Sequence, residues 1–168
     1  MGRDEFPGTG RSSPERVPAE RRAAEKRARM KGATMKDDQE LIRELIERWA
    51  AAVHAGDLDT VLAGHVEDIV MFDVPPPQDG VRGLDAYRAT WPPFFEWQAK
   101  GACFDIVSLD VTAGADVAFA HALLRCGTPE ELAAAPGTRL RLTLGLRREN
   151  GRWTVAHEHH SFPLGDEQ

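Results

Sequence analysis

Leu140-Arg141-Leu142-Thr143-Leu144-Gly145-Leu146, then Asn150-Gly151, then Trp153-Thr154-Val155-Ala156-His157-Glu158-His159-His160-Ser161 is the stretch that decides the fold. Leucine recurs at every second position, the period of a half-buried strand with one apolar and one polar face. Asn-Gly is a strong hairpin signal, because both turn residues tolerate positive φ. Two antiparallel strands are expected, at about 138–148 and 152–162. The same period predicts two more upstream, at about 102–112 and 115–126, joined through Gly114. A loop from Gly127 to Gly137 leads from them into the hairpin.

Before residue 102 the period changes. Leu41, Leu45, Trp49 and Val53 recur every four residues, flanked by Ile42 and Ile46, which predicts an amphipathic helix from about Asp38 to Ala55. Asp37 or Asp38 can cap it and Gly56 ends it. A short helix from Leu58 to His65 follows, capped by Asp57. Ile69-Val70-Met71-Phe72-Asp73-Val74 reads as a strand, stopped by Pro75-Pro76-Pro77. Gly80-Val81-Arg82-Gly83 reads as a turn. Leu84 to Trp91 predicts a third helix that breaks at Pro92-Pro93. Helices first and a meander second give an α+β class: a cone-shaped α+β barrel, with N-terminal helices packed on a curved antiparallel sheet.

Residues 1–34 hold nine Arg or Lys against five Asp or Glu and little apolar mass. They are expected to be a disordered basic extension, within which Pro18 to Lys31 can form a transient helix. The ordered domain is expected over 35–168, where the net charge is −10 out of −6 for the whole chain. That acidity disfavours a nucleic-acid partner. The apolar runs fall far short of a membrane span, and no apolar leader opens the chain. Cys103 and Cys126 read as free thiols of a reducing compartment, so the expected location is cytoplasmic. Seventeen Arg to four Lys fits a GC-rich bacterial genome. No cysteine signature, phosphate-binding glycine loop or nucleotide fingerprint is present.

Three of the six histidines fall in His157-Glu158-His159-His160. On a strand they alternate. Trp153, Val155, His157, His159 and Ser161 share one face, and Thr154, Ala156, Glu158 and His160 share the other. Which face meets the cavity stays open at this point. His157 and His159 project in parallel, as metal ligands do, and His121 with Asp73 or Glu158 could complete a set. The spacing lacks the specificity of HExxH, so no metal and no cofactor are expected. A buried hydrogen-bonded network fixing the last strand would account for the cluster equally.

The string Trp49-Ala50-Ala51-Ala52-Val53-His54-Ala55-Gly56-Asp57-Leu58-Asp59, with Asp68 to Asp73, Gly83-Leu84-Asp85-Ala86-Tyr87 and Asn150-Gly151-Arg152-Trp153, resembles the nuclear transport factor 2-like superfamily. It looks closest to the SnoaL-like, SgcJ/EcaC-type branch of small bacterial proteins. The resemblance covers residues 36–163. It implies a ligand pocket in the cone and a homodimer through the sheet. It places Ala156, Glu158 and His160 on pocket-lining positions, with Trp153 and Val155 outside. Matched to the ketosteroid isomerase branch, Asp73 falls on the general base and Trp49 on the oxyanion tyrosine. Leu144, or Thr143, falls on the protonated aspartate. With its oxyanion donors reduced from two to at most one, steroid isomerase is rejected as the specific activity.

The expected function is cofactor-free proton transfer on a compact cyclic or polyketide-like molecule: isomerisation, cyclisation, dehydration or hydration. Asp73 would be the base. His160 or His121 would be the acid, with Glu158 fixing its tautomer. Trp49, Trp91, Phe72, Leu144 and His159 would line the substrate. A non-catalytic binding or assembly module is the alternative, and a histidine-based metal protein the third.

Overall fold

The Asn150-Gly151 turn adopts positive φ at both residues, 49° and 78°, and joins β5 (Leu140–Glu149) to β6 (Arg152–Ser161). Leu140, Leu142, Leu144 and Leu146 are all buried, so the period-two reading of β5 holds along its length. The structure is a computed structural model. It describes residues 19–164, and for residues 31–36 the backbone alone.

In chain order the elements are α1 (Ala19–Ala55), α2 (Leu58–Ala63), β1 (His65–Phe72), β2 (Val81–Arg82), α3 (Leu84–Gln98), β3 (Cys103–Ala113), β4 (Val117–Gly127) and α4 (Pro129–Ala134), then β5 and β6. One curved, unclosed sheet has the order β2-β1-β6-β5-β4-β3. The run β3-β4-β5-β6 is the expected antiparallel meander. β1, however, lies parallel to β6, so the sheet is mixed. The α+β class stands.

The chain divides into two units, Met1–Ala33 and Thr34–Gln168. The first eighteen residues of the expected disordered extension lie outside the described residues, as do residues 165–168. Residues 19–33 are helical, and the side chains of residues 19–30 are exposed. Ala, Glu, Arg and Lys, the strongest helix formers, dominate that segment. Within the second unit, Ile42, Ile46, Trp49 and Val53 form the buried stripe of α1, while Leu41 is exposed. Trp49 packs edge-on against Phe104 of β3, with ring centroids 5.6 Å apart.

Several local expectations are corrected. The helix expected from Leu58 to His65 ends at Ala63, with His65 opening β1, and the turn expected at Gly80 to Gly83 holds the short strand β2. Asp38 does not cap a helix. It lies inside α1, buried, where its Oδ1 accepts from Trp153 Nε1 at 3.1 Å and pairs with Arg148 at 2.6 Å. The third helix runs through Pro92 and Pro93 to Gln98. A chain of ring contacts, Trp91 to Phe94 to Trp97 at 5.6 and 5.3 Å, packs the half beyond the prolines and offsets the lost backbone bonds. The 127–137 loop contains α4, whose capping box joins Thr128 and Glu131.

No described helix is long and apolar enough to cross a membrane.

Candidate functional site

The register of the last hairpin sets the site. Leu142 faces His160, Leu144 faces Glu158, Leu146 faces Val155 and Arg148 faces Trp153. Directly opposed residues share a face, and β5 alternates without a break. Trp153, Val155, Glu158 and His160 therefore all turn toward the core, and all four are buried. Strict alternation along β6 fails because Ala156 is an extra residue between the Leu146–Val155 and Gly145–His157 pairs, a β-bulge. The expectation that Trp153 and Val155 lie on the outer face is thus overturned. Glu158 and His160 do turn inward, but of the three residues expected on pocket-lining positions only His160 borders the cavity; Ala156 and Glu158 do not.

Parallel pairing of β1 with β6 sets Met71 beside Glu158 and Phe72 beside His159. The next residue, Asp73, arrives alongside His160. Its Oδ1 accepts from Val74 N at 2.7 Å and lies 3.3 Å from His160 Nδ1. The Asp73 side chain is 28% exposed. His160 Nε2 lies 3.1 Å from Glu158 Oε2. Oε1 of Glu158 accepts from Tyr87 Oη at 2.8 Å and sits 2.6 Å from His65 Nε2. Tyr87 Oη is in turn 3.1 Å from His65 Nε2 and accepts from Trp49 Nε1 at 3.2 Å. A continuous polar chain thus crosses the apolar interior from α1 to the end of β1.

Its electrostatics follow from the partners. Burial pushes the Glu158 carboxyl upward, but hydrogen bonds and charge from His160 and His65 outweigh it and hold the group at about 2. Burial pushes His160 down, but Asp73 and Glu158, by hydrogen bond and by charge, raise it to about 9. Tyr87 is raised well above the ordinary phenol range by burial and by the Glu158 charge. At neutral pH the chain therefore holds an imidazolium between two carboxylate side chains, with a neutral phenol behind.

Asp73 and His160 both line a cavity of about 820 Å³. Its other walls are chiefly apolar, with Met71, Trp91, Phe94, Trp97, Phe104 and Leu140 among them. That size and lining suit a small organic molecule.

Several expected site residues lie elsewhere. His121 faces Asp110 and Thr143 on the outer sheet surface and is exposed, so it cannot join Asp73. His159 is also exposed on that surface, and Phe72 packs against it there at 5.9 Å. Trp49 and Leu144 are buried behind the cavity wall, and the Trp49 N–H is already given to Tyr87. Of the proposed lining residues, Trp91 is on the wall. Among the described residues no three His, Cys, Asp or Glu side chains form a metal-binding group. His157 Nδ1 is held by the Val70 carbonyl at 2.8 Å.

Two residues of the chain, His65 and Tyr87, were not anticipated. Tyr87 had a signal: it shares a helical stripe with Leu84 and Trp91, and a phenol buried on such a stripe needs a partner. His65 had none, since it follows the short α2 and looks like a helix end.

Residues 42–165 match the SnoaL-like domain family. The chain belongs to that family. A nuclear transport factor 2-like protein of unknown function from Pseudomonas putida KT2440 is 35% identical, with 79% of this chain and 91% of that one covered and a TM-score of 0.70. A candidate ketosteroid isomerase from Shewanella frigidimarina matches at 18% identity over 70% and 92% of the two chains, with a TM-score of 0.59. A candidate scytalone dehydratase from Novosphingobium aromaticivorans matches at 14% identity over 79% and 89%, with a TM-score of 0.60. These last two share the SnoaL-like chain's fold. No curated protein matches the chain.

Proposed function

We propose that the cavity is the active site of a cofactor-free acid–base catalyst acting on a compact ring-containing molecule, with Asp73 as proton acceptor and His160 as proton donor. The observation that carries this reading is the 3.3 Å contact between Asp73 and His160 on the wall of one cavity. A purely assembling module would not need an open cavity, and a carboxylate beside a protonated imidazole on its wall is the pairing that acid–base chemistry uses.

Among the described residues both polar contacts of Asp73 use Oδ1, which leaves Oδ2 to take a proton from a carbon or hydroxyl of the substrate. His160 gives its Nδ1 proton to the substrate oxygen, either an enolate or a departing hydroxyl. Asp73 then stands protonated and His160 neutral. Return of the proton from Asp73 to Nδ1 restores the site without a co-reactant. Glu158 stays anionic throughout and fixes the ring through Nε2. Proton relocation alone gives isomerisation, and proton loss with hydroxide departure gives dehydration. Relatives on this fold described as candidate isomerase and dehydratase fit that chemistry.

The outer face of the sheet presents Val117, Phe119 and Leu123, all exposed, beside His121 and His159. We assign this face to a second copy of the chain, giving a homodimer through the sheet. The free cysteines Cys103 and Cys126 fit a cytoplasmic setting.

The test is deuterium wash-in, followed by NMR, at the acidic carbons of a panel of cyclic ketones and phenols in heavy water. Exchange above the buffer rate for one member, lost in Asp73→Asn, supports the reading. A panel with no exchange above buffer, or exchange untouched by Asp73→Asn, sinks it.

A further inference from the structure

We infer that the ligand of this cavity is an organic cation, an apolar ring system bearing a protonated amine. The inference rests on the reading of the cavity as the ligand site, and it names the charge class that site selects.

Among the described residues, the ionisable ones lining the cavity are Asp73, Glu131, His160 and Cys126, with no lysine or arginine. Burial pushes the Cys126 thiol up to about 12, so it stays uncharged. The positive charge of His160 already faces Asp73 and Glu158. On the lining itself two carboxylates, Asp73 and Glu131, stand against that one imidazolium, and Glu158 behind the wall is already paired with His65 and Tyr87. A carboxylate or phosphate ester entering here meets no free cation to replace its water. A protonated amine meets Asp73 Oδ2, since among the described residues the polar contacts of Asp73 fall on Oδ1.

The apolar walls favour the same charge. Phe94 is the centre of an aromatic group, with ring centroids 5.6 Å from Trp91, 5.3 Å from Trp97 and 5.8 Å from Phe104. All four rings line the cavity. Aromatic faces attract cations, and more strongly where water is excluded. A carboxylate together with such a group is the chemistry that recognises an ammonium and its apolar body at once.

Three probes of one shape test this by calorimetric titration of the full chain at neutral pH: 2-naphthylmethylammonium, 2-naphthylmethanol and 2-naphthoate. The ammonium is expected to bind at least about tenfold tighter than the alcohol, and the naphthoate at least about tenfold weaker. Asp73→Asn should reduce the ammonium preference over the alcohol to a few-fold at most. Glu131→Gln, which can keep its capping bond to Thr128 N, should lower the preference by a smaller factor. Alcohol binding as tight as ammonium overturns the inference. So does a preference that survives Asp73→Asn, or failure of all three probes to bind. Ammonium preference without proton exchange keeps the charge assignment and removes the catalytic one. Proton exchange without ammonium preference does the reverse.

Discussion

Nδ1 of His160 lies 3.3 Å from Oδ1 of Asp73, and the second ring nitrogen is held by Glu158. The imidazole is thus fixed at both nitrogens, and only the Asp73 side borders the cavity. Removing the base and removing the donor should differ in outcome. Asp73→Asn keeps the shape and is expected to lower turnover by roughly 10²–10⁴, the usual worth of a positioned acid or base. His160→Gln should lower turnover similarly and also destabilise the fold, because it strips a donor from the fully buried Glu158. Rates on whichever panel member exchanges, set beside urea melts, check the pair.

The charged chain also sets a pH window for stability. Glu158 is depressed from 4.5 to about 2 by its histidine partners, after burial has pushed the other way. Its contribution is present above pH 4.5 and is lost as pH falls toward 2. His160 is raised from 6.5 to about 9, its carboxylate partners outweighing burial. Its contribution is full below pH 6.5 and is lost as pH rises through 9. Maximal stability is expected between these limits, at mildly acidic pH. The alkaline loss should be on the order of 3 kcal/mol, since one pKa unit is worth about 1.4 kcal/mol. Urea melts across the range measure it, and a profile flat from neutrality to strong alkali contradicts it.

Tyr87→Phe separates the phenol from its ring. The ring keeps its contacts with His65 and Trp91, at centroid distances of 4.7 and 5.5 Å. The hydroxyl leaves, so Glu158 Oε1 loses a donor and Trp49 Nε1 loses its acceptor. A cost of about 1–3 kcal/mol is expected. Glu158 should also titrate higher, which moves the midpoint of acid unfolding to higher pH. Unchanged acid unfolding would show that Tyr87 does not help hold Glu158 ionised.

The outer sheet face offers a different measurement. Val117 is 67% exposed and Phe119 50%, both on a strand in the body of the sheet where solvent contact is unfavourable for large apolar groups. Phe119→Asp is expected to convert a dimer to a monomer in sedimentation, with little change in monomer fold. A native chain that sediments as a monomer at all concentrations removes the proposed interface.

The hairpin, the meander and the stripe of α1 were legible because each rests on a local period. Asp73 and His160 were legible as candidates because charge and histidine at strand ends stand out against apolar neighbours. Their meeting was not, since it depends on the parallel pairing of β1 and β6, a contact between residues far apart in the chain. His65 was hidden for the same reason: its partner is Glu158, ninety-three residues away. The misplacement of Trp153 and Val155 has another origin. Parity predicts faces only while the ladder is regular, and nothing in Val155-Ala156-His157 marks the middle residue as unpaired.

That bulge makes a sharp prediction about deletions in β6. Without Ala156, Val155 still faces Leu146 and His157 still faces Gly145, now in an unbroken ladder. Trp153, Val155, Glu158 and His160 all remain inward, so the fold should survive with a modest loss from the altered twist. Deleting Thr154 is not equivalent. Residues from Val155 onward hold their pairing, and Trp153 moves one step along, to the outer face. It then loses Asp38 and its place in the core. The expected cost is about 3–5 kcal/mol, that of removing a buried tryptophan. Thermal melts followed by tryptophan fluorescence compare the two. Equal destabilisation by both deletions would mean that Ala156 is not the extra residue.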